Sequence, residues 1–433
     1  TYQPTICLEI HIELNTKSKM FCSCLNNPDE RKANINICPV CTAQPGTLPV
    51  INEEAVKKVI KTGLSLNCQI PEFSKFDRKN YFYPDLPKGY QISQYDMPFC
   101  KQGYLEIDNK KIRITRVHLE EDTGRLIHSG KDSLVDYNRA GVPLMEMVTE
   151  PDINSGKEAR NFAQELQIIF RYLNISSADM EKGQMRVEVN ISLTKDKKLG
   201  TKVEIKNLNS FKSVEKAIDY EIKRQAELLD SGEKIIQETR GWDEKKQKTI
   251  SQREKEEAHD YRYFPEPDLP TLHFDKEFIN KIKAEIPELP WAKRIRFKEE
   301  YNLNDKSIEI FINNKDLGEY FEKVMSELRN WVEEIDLEEK VSEQEFLNLT
   351  NLAANYIVGD FWALLERASI LEFEKRITPE NFAELIKMIY KGEISSKIAK
   401  QVLKEMFDKK ADPSHIIEEK GLVQMTDTNE IEK

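Results

Sequence analysis

The chain has 433 residues, which is long enough for two or more domains that each bury a core. Its formal net charge of −11 argues against indiscriminate binding of duplex nucleic acid, which depends on excess Lys and Arg, although local basic patches are compatible with it. The sequence contains no apolar run of about 18 residues, so no transmembrane helix is expected. The N-terminus also lacks the charged region and apolar core of a signal peptide, which favours a cytoplasmic protein without a membrane partner.

Two segments alternate between apolar and polar residues, as strands do when one face of their sheet is buried. Along residues 6–14, the polar positions are Cys7, Glu9, His11 and Glu13. Along residues 185–193, they are Arg186, Glu188, Asn190 and Ser192. Each set would lie on one surface of a sheet, so the two strands together could line one polar site.

Helical spacing of apolar residues predicts two helices, over residues 157–173 and 213–230, between and after these strands. Strands often follow one another directly, which favours an α+β domain with a largely antiparallel sheet. We expect this domain to cover residues 1–290, because the Pro-rich segment 286–290 interrupts the pattern.

The remainder of the chain is predicted to be helical over residues 291–408. One helix start is marked by Thr378 before Pro379, with the hydroxyl as N-cap and Pro in the first turn. Ser395 or Ser396 caps another predicted helix. Residues 409–433 are polar and are expected to begin a linker or tail domain whose remainder lies outside this chain.

Four of the seven cysteines are clustered, in one Cys-x-Cys pair and one Cys-x-x-Cys pair: Cys22, Cys24, Cys38 and Cys41. This spacing is typical of a tetrahedral zinc site with four thiolates. Four protein ligands leave no position for water, so such a zinc would be structural and would clamp the loop 22–41. Clustering also fits a reducing compartment better than disulfides. The alternatives are four free thiols or two redox pairs.

Acidic residues and a histidine form a second candidate constellation. Glu9 and His11 share one strand face, and carboxylates suit hard cations, although a lone strand histidine is more often structural. Glu146 lies in an otherwise apolar run, where an unpaired carboxylate would be costly. It therefore needs a cation, strong donors or an arginine partner, for which Arg139 is a candidate.

The loop 76–90 combines basic and aromatic residues, among them Arg78 and Lys79 beside Tyr81 and Tyr83. Such a loop can hold phosphates while its rings stack on a base, although packing of the loop itself is the alternative. The sequence contains neither the Gly-x-x-x-x-Gly-Lys phosphate loop nor the Gly-x-Gly-x-x-Gly motif of dinucleotide-binding proteins. Any ATP would therefore be bound through a metal and carboxylates on a sheet. A Gly-x-Ser-x-Gly elbow, which would indicate a serine hydrolase, is also missing.

Eight blocks resemble the B subunit of the aspartyl/glutamyl-tRNA amidotransferases, and together they extend over essentially the whole chain. They are LEIHIEL (8–14), residues 75–94 including DRKNYFYPD (77–85), HLEEDTG (118–124), DYNRAGVPLME (136–146), TEPD (149–152), EIKNLNS (204–210), DYRYFP (260–265) and ISSKIAK (394–400).

The resemblance implies a cradle-shaped catalytic domain, related in fold to glutamine synthetase and the guanidino kinases. That domain would use ATP to phosphorylate the side-chain carboxylate of Glu-tRNA(Gln) or Asp-tRNA(Asn), and ammonia would then displace the phosphate. The implied partners are the glutaminase (A) and small (C) subunits of the amidotransferase and the charged tRNA, with the cognate aminoacyl-tRNA synthetase as a further candidate. The helical domain and the tail would hold the tRNA.

The resemblance also implies a magnesium site, because Mg²⁺ neutralises phosphate charge during transfer. The residues assigned to it are Glu9, His11, Glu121 and Glu146. Strand parity favours Glu120 over Glu121, beside His118 and Arg116, unless a bulge lies near Thr115, so Glu120 is the second choice. The candidates for contacts to phosphate, carboxylate or nucleotide are Arg78, Lys79, Arg186, Glu188, Asn190 and Lys206.

Two features depart from the family pattern. Cys7 stands where the family usually has Gly, and the four cysteines occur in only some members. Two alternatives compete with the hypothesis that the chain is the activating enzyme. One is a non-catalytic tRNA-binding scaffold, and the other is a generic zinc-ribbon module, which would explain only the cysteines. The intact set of Glu9, His11, Glu121 and Glu146 favours the enzyme.

Overall fold

The computed structural model describes residues 2–195, 199–254, 260–334, 341–368 and 373–422. The chain forms two compact units, Thr1–Pro287 and Glu288–Lys433. Within the described ranges, all strands belong to the first unit and the second consists of helices and turns. None of the described helices combines the length and the apolar character needed to cross a lipid bilayer.

The strands alternate apolar and polar residues along most of their length, as period-two burial requires. In chain order they are β1 (Gln3–Glu13), β2 (Phe73–Ser74), β3 (Asp77–Asn80), β4 (Tyr90–Ser93), β5 (Cys100–Ile107), β6 (Lys110–Glu121), β7 (Arg125–Ser129), β8 (Asp132–Asp136), β9 (Pro143–Thr149), β10 (Met185–Thr194), β11 (Val203–Lys206), β12 (Glu238–Asp243), β13 (Lys248–Glu254), β14 (Phe264–Pro265) and β15 (Leu272–His273).

The helices carry apolar stripes and, in most cases, a side-chain N-cap. Those of the first unit are α1 (Glu53–Ser65), α2 (Gly156–Tyr172), α3 (Phe211–Asp230) and α4 (Lys276–Ala284). Those of the second are α5 (Pro290–Tyr301), α6 (Asp305–Asn313), α7 (Lys315–Glu334), α8 (Glu343–Tyr356), α9 (Trp362–Ala368), α10 (Pro379–Tyr390), α11 (Ser396–Lys409) and α12 (Pro413–Lys420).

An eight-stranded sheet dominates the first unit, in the order β13-β12-β11-β10-β1-β9-β6-β5. Neighbouring strands are antiparallel except for the β11–β12 pair, which is parallel. The apolar face of β1, with Ile6, Leu8 and Ile10 fully buried, belongs to the core that α2 and α3 help to form. The opposite face carries the polar residues of β1 and β10, as their alternation predicts.

Small sheets add side chains from elsewhere in the chain to the first unit. β14, β3 and β4 form one such sheet, and β4 packs against β6. This packing brings the basic and aromatic loop of the sequence to the edge of the polar face.

The second unit has an aromatic core, in which Phe297, Phe311 and Phe321 pack ring against ring. The Thr378 hydroxyl accepts from the backbone of Asn381 and caps α10, and Ser395 caps α11. A single π-helical turn, Ile357–Phe361, joins α8 to α9, and a short 3₁₀ turn covers Phe373–Lys375.

The predicted boundary at residue 290 lies close to the division between the two units, after Pro287. The predicted helical region ended at residue 408, and α11 ends at Lys409. One further helix, α12, follows in the segment where a linker was expected.

Candidate active site and four-cysteine cluster

A cluster of carboxylates and imidazoles lies on the polar face of the central sheet. Glu9 and His11 come from β1, and Glu146 of β9 is the cross-strand partner of His11. His11 Nε2 lies 3.4 Å from Glu146 Oε2 and 3.7 Å from Glu9 Oε1. The three residues present ligand atoms within 4.8 Å of one another, which is close enough to share one cation.

Strand β6 supplies the other half of the cluster through His118 and Glu120. His118 Nε2 lies 3.5 Å from Glu146 Oε2 and 3.6 Å from Glu120 Oε2, and His11 Nε2 lies 3.9 Å from Glu120 Oε1. Ser93 also donates its hydroxyl to Glu120 at 2.9 Å. Glu146 therefore belongs to two overlapping groups, one with β1 and one with β6.

Burial and charge shift the proton affinities of these groups strongly. Burial by itself would raise the pKa of Glu146, but His118 and His11 beside it hold that pKa well below its ordinary value. Burial would likewise lower the pKa of His11, yet Glu146, Glu120 and Glu9 raise it to about 9. The pKa of Glu9 is raised, because it is buried and close to Glu146. The cluster is thus rich in negative charge and favours a positive one.

The cluster fits a bound cation by this electrostatic criterion and by the convergence of its ligand atoms. His118 is only 3% exposed, and its Nε2 faces the carboxylates of Glu120 and Glu146. Three carboxylates, Glu9, Glu120 and Glu146, crowd around two imidazoles, an arrangement that costs free energy unless positive charge compensates it. Carboxylate oxygens suit Mg²⁺, and imidazole nitrogens can complete such a set.

The structure does not bring Glu121 to this cluster. The Glu121 carboxylate points to the other side of β6, where Lys88 Nζ lies 2.7 Å from it and the backbone N–H of Ile92 donates to it. A register irregularity does occur between Ile114 and Arg116, at the place where a bulge was considered. The irregularity lies before Arg116, so regular alternation from Arg116 onward puts Arg116, His118 and Glu120 on the same sheet face as His11.

A pair of buried acids, Asp122 and Glu13, borders the cluster. The backbone of Asp122 follows the end of β6, and Arg186 donates to its carboxylate at 2.7 Å. Burial by itself would raise the pKa of Asp122, but Arg186 and Arg139 lower it. Glu13 shows the opposite shift, since burial and Asp122 raise its pKa to about 8. Arg186 is therefore held beside the cluster, opposite His11 on β10.

The two basic residues of β3 point in different directions. Lys79 faces the cluster: burial would lower its pKa, but the carboxylates of Glu120 and Glu146 raise it. Arg78 forms a bidentate pair with Glu266, at 2.7 and 2.8 Å, and stacks over the Tyr90 ring. The structure therefore brings Lys79 to the predicted site and engages Arg78 elsewhere.

The remaining predicted residues lie further along the same sheet face. Lys206 Nζ is 2.9 Å from Glu188 Oε2, next to Glu9 in the cross-strand row. Asn190 lies one row beyond, opposite Cys7, and its buried Oδ1 has no hydrogen-bond partner among the described residues. Cys7 thus faces Asn190 and displaces no member of the cluster.

The four clustered cysteines converge as their spacing predicts. Their sulfur atoms all lie within 4.8 Å of one another, and each cysteine has a free thiol. A hydrogen bond from Cys22, together with the backbone N–H of Cys38, lowers the pKa of Cys41 to about 4. Four converging sulfurs, with one thiolate stabilised by donors, fit a bound soft or borderline metal ion.

Asn138, in the connection between β8 and β9, holds the cysteine loop through three hydrogen bonds. This side chain is 1% exposed, accepts from the backbone N–H groups of Ile35 and Asn36, and donates to the carbonyl of Lys32. We expect Asn138→Ala to lower the free energy of unfolding by about 1–3 kcal/mol, because several polar groups lose their partner together. Chemical denaturation of both proteins would measure the difference, and unchanged stability would contradict this role for the amide.

Sequence reasoning did not assign His118 to the site and gave Glu120 only second place. The available signal was period two along residues 116–120, which puts both residues on one face of β6. The pairing of β6 with β9 decides whether this face is the one that carries His11, and the local sequence does not record that pairing. The family resemblance therefore decided for Glu121. Lys19 was also missed, since nothing in its local sequence distinguishes it from a surface lysine.

Comparison with known proteins gives two family matches. Residues 4–280 match the GatB/GatE catalytic domain, and residues 336–433 match a GatB domain. The chain is 47% identical to a protein of Thermotoga petrophila, 46% to one of Carboxydothermus hydrogenoformans and 48% to one of Persephonella marina. Each alignment covers 100% of this chain and 88% of the relative.

These relatives are all named as B subunits of the aspartyl/glutamyl-tRNA(Asn/Gln) amidotransferase. The catalytic-domain match alone includes every residue of the carboxylate–imidazole cluster and all four clustered cysteines. The chain therefore belongs to the family of aspartyl/glutamyl-tRNA(Asn/Gln) amidotransferase B subunits.

Proposed function

We propose that this chain activates the side-chain carboxylate of glutamate on tRNA(Gln), or of aspartate on tRNA(Asn), with ATP. The carboxylate oxygen attacks the γ-phosphorus of ATP, the bond to the β,γ-bridging oxygen breaks, and ADP leaves. Ammonia then attacks the acyl phosphate, inorganic phosphate departs, and the amide remains. The observation that carries this proposal is the cluster of partly buried Glu9 and His11 with buried Glu120 and Glu146, with cationic side chains on the same sheet face.

The residues have separate roles in this scheme. Glu9, His11, His118, Glu120 and Glu146 would hold Mg²⁺, which, when bound, neutralises phosphate charge. This set takes Glu120 in place of Glu121, because only Glu120 faces the other members.

Cationic side chains orient the anionic groups. Lys79 of β3 faces the cluster, and Asp122 fixes Arg186 beside the cluster. Both side chains can donate hydrogen bonds to oxygens of the phosphate or of the substrate carboxylate. Arg116 lies 3.7 Å from Glu146 and is 39% exposed, with its buried Nε unpaired among the described residues. Its guanidinium is a further candidate for phosphate.

The remaining proposals follow from the family. Ammonia would come from a glutaminase partner, the A subunit of the complex, while the small C subunit would join the two chains, in the cytoplasm. The first unit would share the cradle fold of glutamine synthetase and the guanidino kinases. The helical unit, with any tail domain, would hold the charged tRNA, and the cognate synthetase would be a further partner. The four cysteines would hold a structural Zn²⁺.

The products of nucleotide turnover test the proposed reaction. The assembled three-subunit complex should convert ATP to ADP and phosphate only when charged tRNA and glutamine are present. Amidation of Glu-tRNA(Gln) and Asp-tRNA(Asn), measured in parallel, identifies the substrate. The physical reason is that attack at the γ-phosphorus can release only ADP.

Release of AMP and pyrophosphate would contradict this mechanism, because it requires attack at the α-phosphorus. A complex that binds charged tRNA but consumes no ATP would favour the alternative, a tRNA-binding scaffold. Uncharged tRNA is the matched control, since it offers the same polynucleotide without the carboxylate to be activated.

A further inference from the structure

The side chain of Lys19 is fully buried, which is unusual for a lysine. Its ammonium contacts two groups: Cys41 Sγ at 3.7 Å and the backbone carbonyl of Tyr137 at 3.2 Å. Over the described parts of the chain, no carboxylate forms an ion pair with Lys19. A buried ammonium without a carboxylate needs negative charge from another source.

Of the two groups that contact the ammonium in the described parts of the chain, only the cysteine cluster can carry negative charge. Four neutral thiols would leave the ammonium uncompensated. A divalent ion held by four thiolates carries a surplus of two negative charges, which is also costly to bury. The ammonium offsets one of these two surplus charges, so each group lowers the free-energy cost of burying the other.

The backbone holds Lys19 in this place from both sides. The Lys19 N–H donates to the carbonyl of Cys24 at 3.0 Å, and the neighbouring Met20 N–H donates to the carbonyl of Gly141 at 2.7 Å. The first contact fixes the lysine to the cluster, and the second fixes it to the segment that enters β9. Cys41 receives its only ammonium from Lys19, as far as the described residues show.

We propose that Lys19 is the internal counter-ion of the metal–thiolate centre, and so a positioning residue for that centre. This inference rests on the proposed zinc site. It assigns to one buried side chain part of the charge balance of a tetrathiolate ion, at the side where its ligand Cys41 is buried.

Through Lys19 the centre is also connected to the polar face of the sheet. The ammonium fixes the carbonyl of Tyr137, and Arg139, two residues on, donates to the carbonyls of Thr123 and Gly124. Gly141 N–H donates to the carbonyl of Asp122, whose carboxylate holds Arg186. Loss of the counter-ion is therefore expected to loosen the segment that supports Arg186.

Zinc release from the full-length protein tests the proposal. Wild-type protein should contain about one zinc per chain. Lys19→Met removes the charge at similar volume, and Lys19→Gln keeps N–H donors without charge. Both should release zinc to an excess of chelator about 10- to 100-fold faster, measured with a chromogenic zinc indicator. In protein loaded with cobalt, the sulfur-to-metal charge-transfer absorption should also shift, which a purely structural role would not cause.

Lys293→Met is the matched control, because Lys293 is also buried but pairs with Glu322 at 2.8 Å in the helical unit. It should lose stability without altering zinc release. Wild-type rates and an unshifted cobalt spectrum in the Lys19 variants would overturn the counter-ion role and leave the zinc site intact. Wild-type protein without zinc would overturn both proposals. If Lys19→Met is not recovered folded, Lys19→Gln alone decides between these outcomes.

Discussion

Replacing Glu146 with glutamine is expected to reduce amidation of charged tRNA by about 10²- to 10³-fold. Glu146 is shared by the two three-residue groups of the cluster and lies 3.4 Å from His11 and 3.5 Å from His118. Glutamine keeps the shape of the side chain but removes the charge, so a cation would lose its central ligand. Steady-state amidation by the assembled three-subunit complex, with charged tRNA saturating, would measure the loss.

Two further measurements make the result for Glu146 specific. The glutaminase activity of the complex should remain measurable, because the proposed glutaminase partner is a different chain. Glu221→Gln is the matched control: this carboxylate is also fully buried and pairs with Arg224 and Arg240, away from the cluster. It should lower stability without lowering amidation per folded molecule. Amidation that survived Glu146→Gln would remove Glu146 from the metal site.

Glutamine substitutions at Glu120 and Glu121 are expected to have very different effects, although the two residues are adjacent. Glu120→Gln should raise the Mg²⁺ concentration for half-maximal amidation by about 10- to 100-fold or more, since loss of a direct ligand should cost at least as much as loss of a residue supporting one. Glu121→Gln should leave this concentration nearly unchanged and weaken the contacts to Lys88 and Ile92.

A magnesium titration of amidation with each variant complex makes this comparison. Thermal unfolding of both variants should be recorded as well, because Glu121 has a buried ion pair to lose. The opposite pattern, with magnesium dependence changed only by Glu121→Gln, would return the assignment to Glu121. Equal changes in magnesium dependence for the two variants would show that the sheet face on which a residue of β6 lies does not determine which residue binds the metal.

Local patterns in the sequence predicted two of the strands that bear the site and the helix α2 beneath their sheet. Alternation over residues 6–14 and 185–193 corresponds to β1 and β10, and the apolar spacing of 157–173 corresponds to α2. These predictions succeeded because burial on one face of an element leaves a period in the sequence. Thr378 likewise marked the start of α10, because a hydroxyl N-cap acts within one turn.

The cysteine spacing was also sufficient to predict convergence of the four sulfurs, since each pair is joined by a short stretch of chain. Glu9 and His11 are neighbours on one strand face for the same local reason. Their closeness to Glu146 depends on how β1 pairs with β9, and the family resemblance anticipated it.

What only the tertiary structure decided was which distant side chains complete these sites. The choice of Glu120 over Glu121 depends on the register between β6 and β9. Adjacent residues of β3 point to opposite faces, so Lys79 faces the cluster while Arg78 is held by Glu266. Which of the two faces meets the cluster depends on how the sheet of β3 packs against the central sheet. The burial of Lys19 depends on a segment more than a hundred residues away. The sequence by itself thus determined the elements, their polar faces and the cysteine cluster, because these follow from contacts between near neighbours. Strand register and packing between sheets are set by contacts between remote residues, which no local period records.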